Sequence, residues 1–291
     1  MINMKLKLKR IAVLFSVLLV AVGLVGCGNT THHSATRDDN HLVNLDYQSG
    51  HSAIVKVDHD RSTLNPRSWK SDHIVYTNLD HLNRTSKGNT AYLARQNIAH
   101  DTLRQRQFVF PSGWHQKMIA NQAIINRGHE IAYSLSKGID YTGSYRPYNP
   151  SGDQNNPRNL FTQTAFSNQK LQTIYESKVR RALYRNKKVI FRVKPIFRGH
   201  ELMARGVHMQ AISTDHSLDF NVYIFNVQPG VKFDYSTGRS IIDQSMQVPI
   251  PKNAPAFYND YVDGRLIHYH DYRYHPVNPR RFHRRKLLIN K

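Results

Sequence analysis

The stretch Asn159-Leu160-Phe161-Thr162-Gln163-Thr164-Ala165-Phe166-Ser167-Asn168-Gln169, running on from Lys170 to Tyr184, decides the fold. Leu171, Ile174, Tyr175, Val179, Ala182 and Leu183 recur at intervals close to three and four, the rhythm of a helix with one apolar face. This spacing predicts a helix that starts near Asn168. Upstream of it, Leu160 to Thr164 reads as a short strand, and Ile124-Ile125-Asn126-Arg127-Gly128-His129 reads as a second strand running into a loop. Two strands followed by a helix form a ββα unit. On the helix, Glu176 and Arg180 are four residues apart and share a face. Asn168 precedes Glu176 by eight residues, which at roughly 100° per residue puts it about 80° around the axis and two turns away.

Working outward, three β-rich runs follow: Val189 to Phe197, Gly206 to Ser213 and Leu218 to Val227, with Arg198-Gly199-His200 as the turn after the first. Their short separation predicts an antiparallel meander. On the N-terminal side, Ser52 to Val57 has the composition of a strand, whereas Leu79 to Arg84 and Thr90 to Arg95 read as helical or turn-rich. The class is therefore α+β, with a ββα unit packed on a mainly antiparallel sheet.

The chain of 291 residues carries 41 Lys and Arg against 20 Asp and Glu, a net charge of +21. That excess goes beyond what solubility requires and points to a polyanionic partner, whether nucleic acid, anionic lipid or cell-wall polymer. Hydrophobic residues make up 40% of the chain, which excludes a disordered basic tail as the whole protein.

The N-terminus accounts for the only cysteine. Lys5, Lys7, Lys9 and Arg10 precede an apolar run from Ile11 to Gly26 that closes on Leu24-Val25-Gly26-Cys27. This is the pattern of an export signal ending in a lipobox, with Cys27 as the lipidated residue, and the run is short for a membrane span. Loss of residues 1–26 removes those four cations and no acid, so the charge falls from +21 to +17. The domains expected are a signal peptide over 1–26, a flexible tether over 27–45, a globular domain over 46–240 and a basic extension over 241–291. The last of these holds eight Lys and Arg from Arg265 onward, with His268, His270, His275 and His283 and Asp271 as the only acid in that stretch. It reads as a solvated polycation more readily than as a metal site built on His268 and His270.

Taken one at a time, the polar residues of the ββα unit have ordinary explanations. One histidine among 17 can be a hydrogen-bonded structural residue, Asn168 a helix N-cap, and Glu176 with Arg180 a surface pair.

Their order and spacing, however, resemble the DNA/RNA non-specific endonucleases of the ββα-metal fold, in particular the bacterial DNA-entry nuclease type. The resemblance runs from about Leu45 to Gly238. It is carried by Pro111-Ser112-Gly113-Trp114-His115, Arg127-Gly128-His129, Asn159 through Gln169, Tyr175 through Leu183, Phe220-Asn221-Val222 and Asn226-Val227-Gln228-Pro229-Gly230. It implies a metal-dependent endonuclease that hydrolyses DNA and RNA with a histidine-activated water. By the same resemblance His129 is the general base, Asn168 the ligand of Mg²⁺ or Mn²⁺, and Glu176 the carboxylate that holds metal-bound water. Arg127 and Arg180 are then phosphate contacts, and Asn159, Gln163 and Gln169 are substrate contacts or scaffold. Two positions depart from the pattern: Asn126 stands where Asp is usual, and Glu130 where an apolar residue is usual. A surface nucleic-acid receptor without catalysis and a wall-polymer-binding lipoprotein are the competing readings. The expected location is the outer face of the cell membrane, held by lipidated Cys27.

Overall fold

A computed structural model describes residues 41–99, 106–119, 121–149 and 152–255, and the backbone of 260–262 and 265–267. Cys27 with the rest of the expected signal, most of the tether, His268, His270 and the end of the basic extension lie outside the described residues. Along the chain the strands are β1 (Ile54–Lys56), β2 (His73–Val75), β3 (Asn89–Leu93), β4 (Met118–Ile119), β5 (Gln122–Ala123), β6 (Ile125–His129) and β7 (Leu160–Thr164). Then come α1 (Thr173–Tyr184), β8 (Val189–Ile196), β9 (Gly206–Ser213), β10 (Asp219–Phe225), β11 (Val231–Asp234), β12 (Arg239–Ile242), β13 (Asp260–Val262) and β14 (Arg265–Ile267).

Six strands form one antiparallel sheet in the order β1-β10-β9-β8-β3-β2. The expected meander is its centre, β8-β9-β10. Register places Phe191, Ala211 and Phe220 side by side across these strands, and likewise Val193, Met209 and Val222. This apolar floor receives α1, whose Val179 and Leu183 are fully buried together with Leu171 just before it. Tyr175 meets the ring of Phe220 at 5.0 Å. Burying each of these aliphatic side chains is worth about 1.5–3 kcal/mol, so the sheet and not local propensity holds the helix. On the opposite face of β9 and β10 the polar side chains are covered by the chain that follows β1: Gln210 accepts from the Thr63 backbone N–H at 3.0 Å, and Asn221 donates to the Arg61 carbonyl at 3.0 Å. Leu42 and Val248, which flank the expected 46–240 range, are buried in the same core.

Residues 89–93 correct the helical or turn-rich expectation for Thr90 to Arg95. They form β3, because pairing with both β2 and β8 satisfies their backbone groups. Helix geometry is corrected too. Helical backbone begins at Ala165, not Asn168, and Ser167–Gln172 is a wide π turn that leads into α1. Asn168 therefore sits inside a helical turn and not at an N-cap, and the i→i+5 winding there voids the 80° angle drawn from regular α geometry.

Strands β6 and β7 form a separate antiparallel ribbon with His129 opposite Leu160 and Asn126 opposite Gln163. Buried Asn226 ties this ribbon to the main sheet. Its side-chain oxygen accepts from the Thr164 backbone N–H at 2.8 Å, and its amide nitrogen donates to the carbonyls of Thr162 at 3.1 Å and Ala204 at 2.9 Å. Gln228 accepts from the Phe166 backbone N–H at 2.9 Å, which fixes where the helical turn begins. These contacts explain why the 226–228 block belongs with the ββα unit.

Candidate active site

Side chains alternate along a strand, so Arg127 and His129 share one face of β6 while Asn126 and Gly128 share the other. Gly128 is there because Gln163 comes close: a Cβ at Gly128 would lie 2.2 Å from Gln163 Oε1 and 2.7 Å from its Cβ. With no side chain at 128, Gln163 is fully buried, and its amide nitrogen donates to Ser167 Oγ at 3.2 Å and Gln172 Oε1 at 2.9 Å. Gln172 passes this linkage on. Its own amide nitrogen donates both to the His129 carbonyl at 2.8 Å and to Glu176 Oε1 at 2.9 Å. A buried chain of amides thus locks β6, β7, the π turn and α1 together directly beneath His129.

The half-buried His129 ring points to the opposite side, where its Nε2 lies 3.1 Å from the Gln154 carbonyl oxygen and 3.4 Å from Gln107 Nε2. A carbonyl oxygen can only accept, so the shorter contact assigns the proton to Nε2 and the ring lone pair to Nδ1. That tautomer makes Nδ1 the basic nitrogen.

Arg127 is pinned by aromatic faces, with its Cζ 4.8 Å from the Phe110 centroid and 4.6 Å from that of Trp114, while Nε donates to the Val109 carbonyl. Such stacking preserves the charge and fixes the plane of the guanidinium. Glu176 and Arg180 share a face of α1 as expected, but both are buried, which overturns the surface-pair reading. Arg180 donates to Ser134 Oγ.

Asn168 is half-buried on the π turn, with its carbonyl accepting from Thr173 Oγ1 at 3.0 Å. Its side-chain amide makes no hydrogen bond among the described residues, so it can serve as a ligand. No group of three or more His, Cys, Asp or Glu occurs among the described residues. The donor Asn168 offers is a neutral amide oxygen, which suits a hard cation that keeps most of its water.

Of the remaining expected residues, Gln169 is exposed beside Asn168. Asn159 is fully buried, and both ends of its amide bond the Ile131 backbone at 2.9 Å. It therefore shapes the loop after His129 from inside. Gln172, Gln154 and Gln107 were missed in the sequence. For Gln172 a signal exists, because it lies one helical turn before Glu176. For the other two there is none, since Gln154 contributes a backbone oxygen and Gln107 lies in a loop.

Residues 147–215 match the family described as DNA/RNA non-specific endonuclease. The solved structure of NucA from Streptococcus agalactiae with magnesium ion bound is similar at a TM-score of 0.58 and 30% identity, over 70% of this chain and 93% of that one. NucA from the same organism with no metal bound is similar at 0.56 and 29%, over 72% and 98%. The ββα unit, the antiparallel sheet behind it and these likenesses together establish that the chain belongs to the DNA/RNA non-specific endonuclease family and is a nuclease of the ββα-metal fold.

Proposed function

We propose that this nuclease hydrolyses phosphodiester bonds of both DNA and RNA in a metal-dependent reaction with His129 as general base. The observation that carries the reading is the amide chain from Gln163 through Gln172 to Glu176 and the His129 carbonyl. It supports a fixed position for His129 relative to the turn that bears Asn168. Nδ1 of His129 takes a proton from the water that attacks phosphorus, while the Gln154 carbonyl keeps the ring in the tautomer this requires. Arg127, held against the Phe110 and Trp114 rings, faces a phosphate oxygen, and Arg180 adds positive charge from α1. Asn159 and Gln163 act as supports, and Gln169 is the one of the three amides accessible to substrate. Asn168 would hold the cation and Glu176 would orient its bound water; the cation supplies charge stabilisation to the phosphorane and the leaving 3′-oxygen. Mg²⁺ is the assignment, with Mn²⁺ as substitute, supported by the amide oxygen donor and by the magnesium bound to the related NucA. Since water attacks and the ribose 2′-hydroxyl is not used, RNA and DNA both qualify, with 5′-phosphate and 3′-hydroxyl products. The Lys5-to-Cys27 pattern supports export and a lipid anchor at Cys27, which puts the enzyme on the outer face of the cell membrane.

Plasmid nicking by the soluble form beginning at Gly28 tests this reading. Cutting is expected with Mg²⁺ or Mn²⁺, none with EDTA, and a loss of about 10²–10⁴-fold in His129→Ala. Persistent cutting in EDTA, or by the variant, overturns the mechanism. Salt-sensitive DNA binding with no cutting in either metal favours the receptor.

A further inference from the structure

The segment Gln107–Phe110 runs beside the end of β6 and is stitched to it from one side. Gln107 Nε2 approaches His129 Nε2 at 3.4 Å and the Gln154 carbonyl at 3.5 Å, and the Val109 carbonyl accepts from Arg127. Asn155 grips the same segment by its backbone, accepting from the Phe108 N–H at 3.1 Å and donating to the Arg106 carbonyl at 3.1 Å. Alternation then dictates the rest. Gln107 and Val109 turn toward the site and are half-buried, Phe108 turns outward and is 69% exposed, and Phe110, with one side of its ring against Arg127, is still 68% exposed. Trp114 continues the aromatic surface, edge-on to Phe110 at 5.9 Å.

Two phenylalanines held in water by a tethered backbone forgo the burial that is the usual gain from such side chains. Their position adjoins the phosphate-facing groups Arg127 and His129. An aromatic face next to a cationic phosphate site is the arrangement that captures a nucleobase while its own phosphate is held, and stacking of this kind accepts any base. We propose that Phe108 and Phe110 form a stacking platform for unpaired bases of the strand being cut, so that the enzyme favours single-stranded or locally melted nucleic acid. The proposal rests on the reading of His129 and Arg127 as the phosphate site. Paired bases in a duplex have their faces covered by neighbours and gain nothing from the platform.

The test compares two oligonucleotides of equal length and charge, one bearing bases and one with abasic tetrahydrofuran residues. Each is titrated by fluorescence anisotropy with His129→Ala in EDTA, so that neither catalysis nor metal enters the readout. The base-bearing strand is expected to bind about tenfold tighter or more. Adding Phe108→Ala, at a side chain with no bond to the catalytic groups, collapses that ratio toward one, and Phe108→Tyr restores it. Phe110→Leu lowers the ratio while keeping an apolar group against Arg127. Equal affinity for the two strands overturns the platform, as does a Phe108→Ala variant whose ratio is unchanged. Failure of the nuclease reading itself would instead appear as a parent protein that does not nick plasmid in Mg²⁺.

Discussion

Gly128 shows how one residue can be dictated from across a strand pair. Alanine there would drive its Cβ into the Gln163 amide and stem, and Gln163 cannot retreat without dropping its bonds to Ser167 and Gln172. Overpacking at such a point costs about 1–3 kcal/mol. A displacement of about an ångström passed through Gln172 to His129 costs about 10²-fold in rate. Gly128→Ala is therefore expected to remain folded by circular dichroism and lose about 10²-fold in kcat for plasmid nicking, and an unchanged kcat would refute the coupling. At this scale Arg127, His129, Asn168 and Glu176 are candidates because their order and spacing resemble the family. The work of Asn159 and Gln163 was not legible in the sequence, because an amide that contacts substrate and one that props a loop look alike until burial is known. Gln154 was illegible in principle, since any residue could present the same carbonyl.

Among the elements, the meander and the ribbon were readable because alternation and apolar runs survive in a single sequence, and β8 to β10 fall close to where those runs lie. β3 was not. Asn89–Leu93 carries only one β-branched residue, and its strand state comes from the two neighbours that flank it. The π turn was hidden for a related reason: it is set by where Gln228 and Asn226 grip the chain, and no local propensity encodes it. That turn gives a prediction of its own. Gln169 is exposed within it, so Gln169→Ala removes one solvent-facing amide and is expected to change nicking by less than about tenfold. Deletion of Gln169 instead lets the turn tighten toward ordinary α winding and swings Asn168 away relative to Glu176. Loss of about 10²-fold or more in Mg²⁺-dependent nicking is expected, with α1 retained because its apolar face still rests on Phe220. If deletion and alanine substitution have equal effects, the π turn does not position Asn168.

Seen whole, the molecule separates two kinds of electrostatics. The surface excess of positive charge was visible in the composition and bears on substrate capture. The interior is where composition said least, and Glu130 is the clearest case. It follows His129 in sequence and is fully buried, with neither carboxyl oxygen in a hydrogen bond of good geometry among the described residues. Burial drives its pKa well above the usual carboxylate range, and Thr85, the Asn89 backbone and the Arg192 guanidinium pull the other way without prevailing. Tyr76, its other titratable neighbour, is itself raised by burial first and so stays neutral. In the unfolded chain Glu130 ionises at about pH 4.3, whereas burial in the fold favours its protonated form. Its contribution to stability is thus fully present below that pH and declines as pH rises toward the folded pKa, with a slope of up to about 1.4 kcal/mol per pH unit. Glutamine at 130 keeps nearly the same shape and has no proton to lose. Glu130→Gln is therefore expected to match the parent in thermal unfolding near pH 4.5 and to exceed it by several degrees at pH 8, taking about 2–4 °C per kcal/mol for a domain of this size. A gap that is the same at both pH values would mean that burial does not raise the pKa of Glu130.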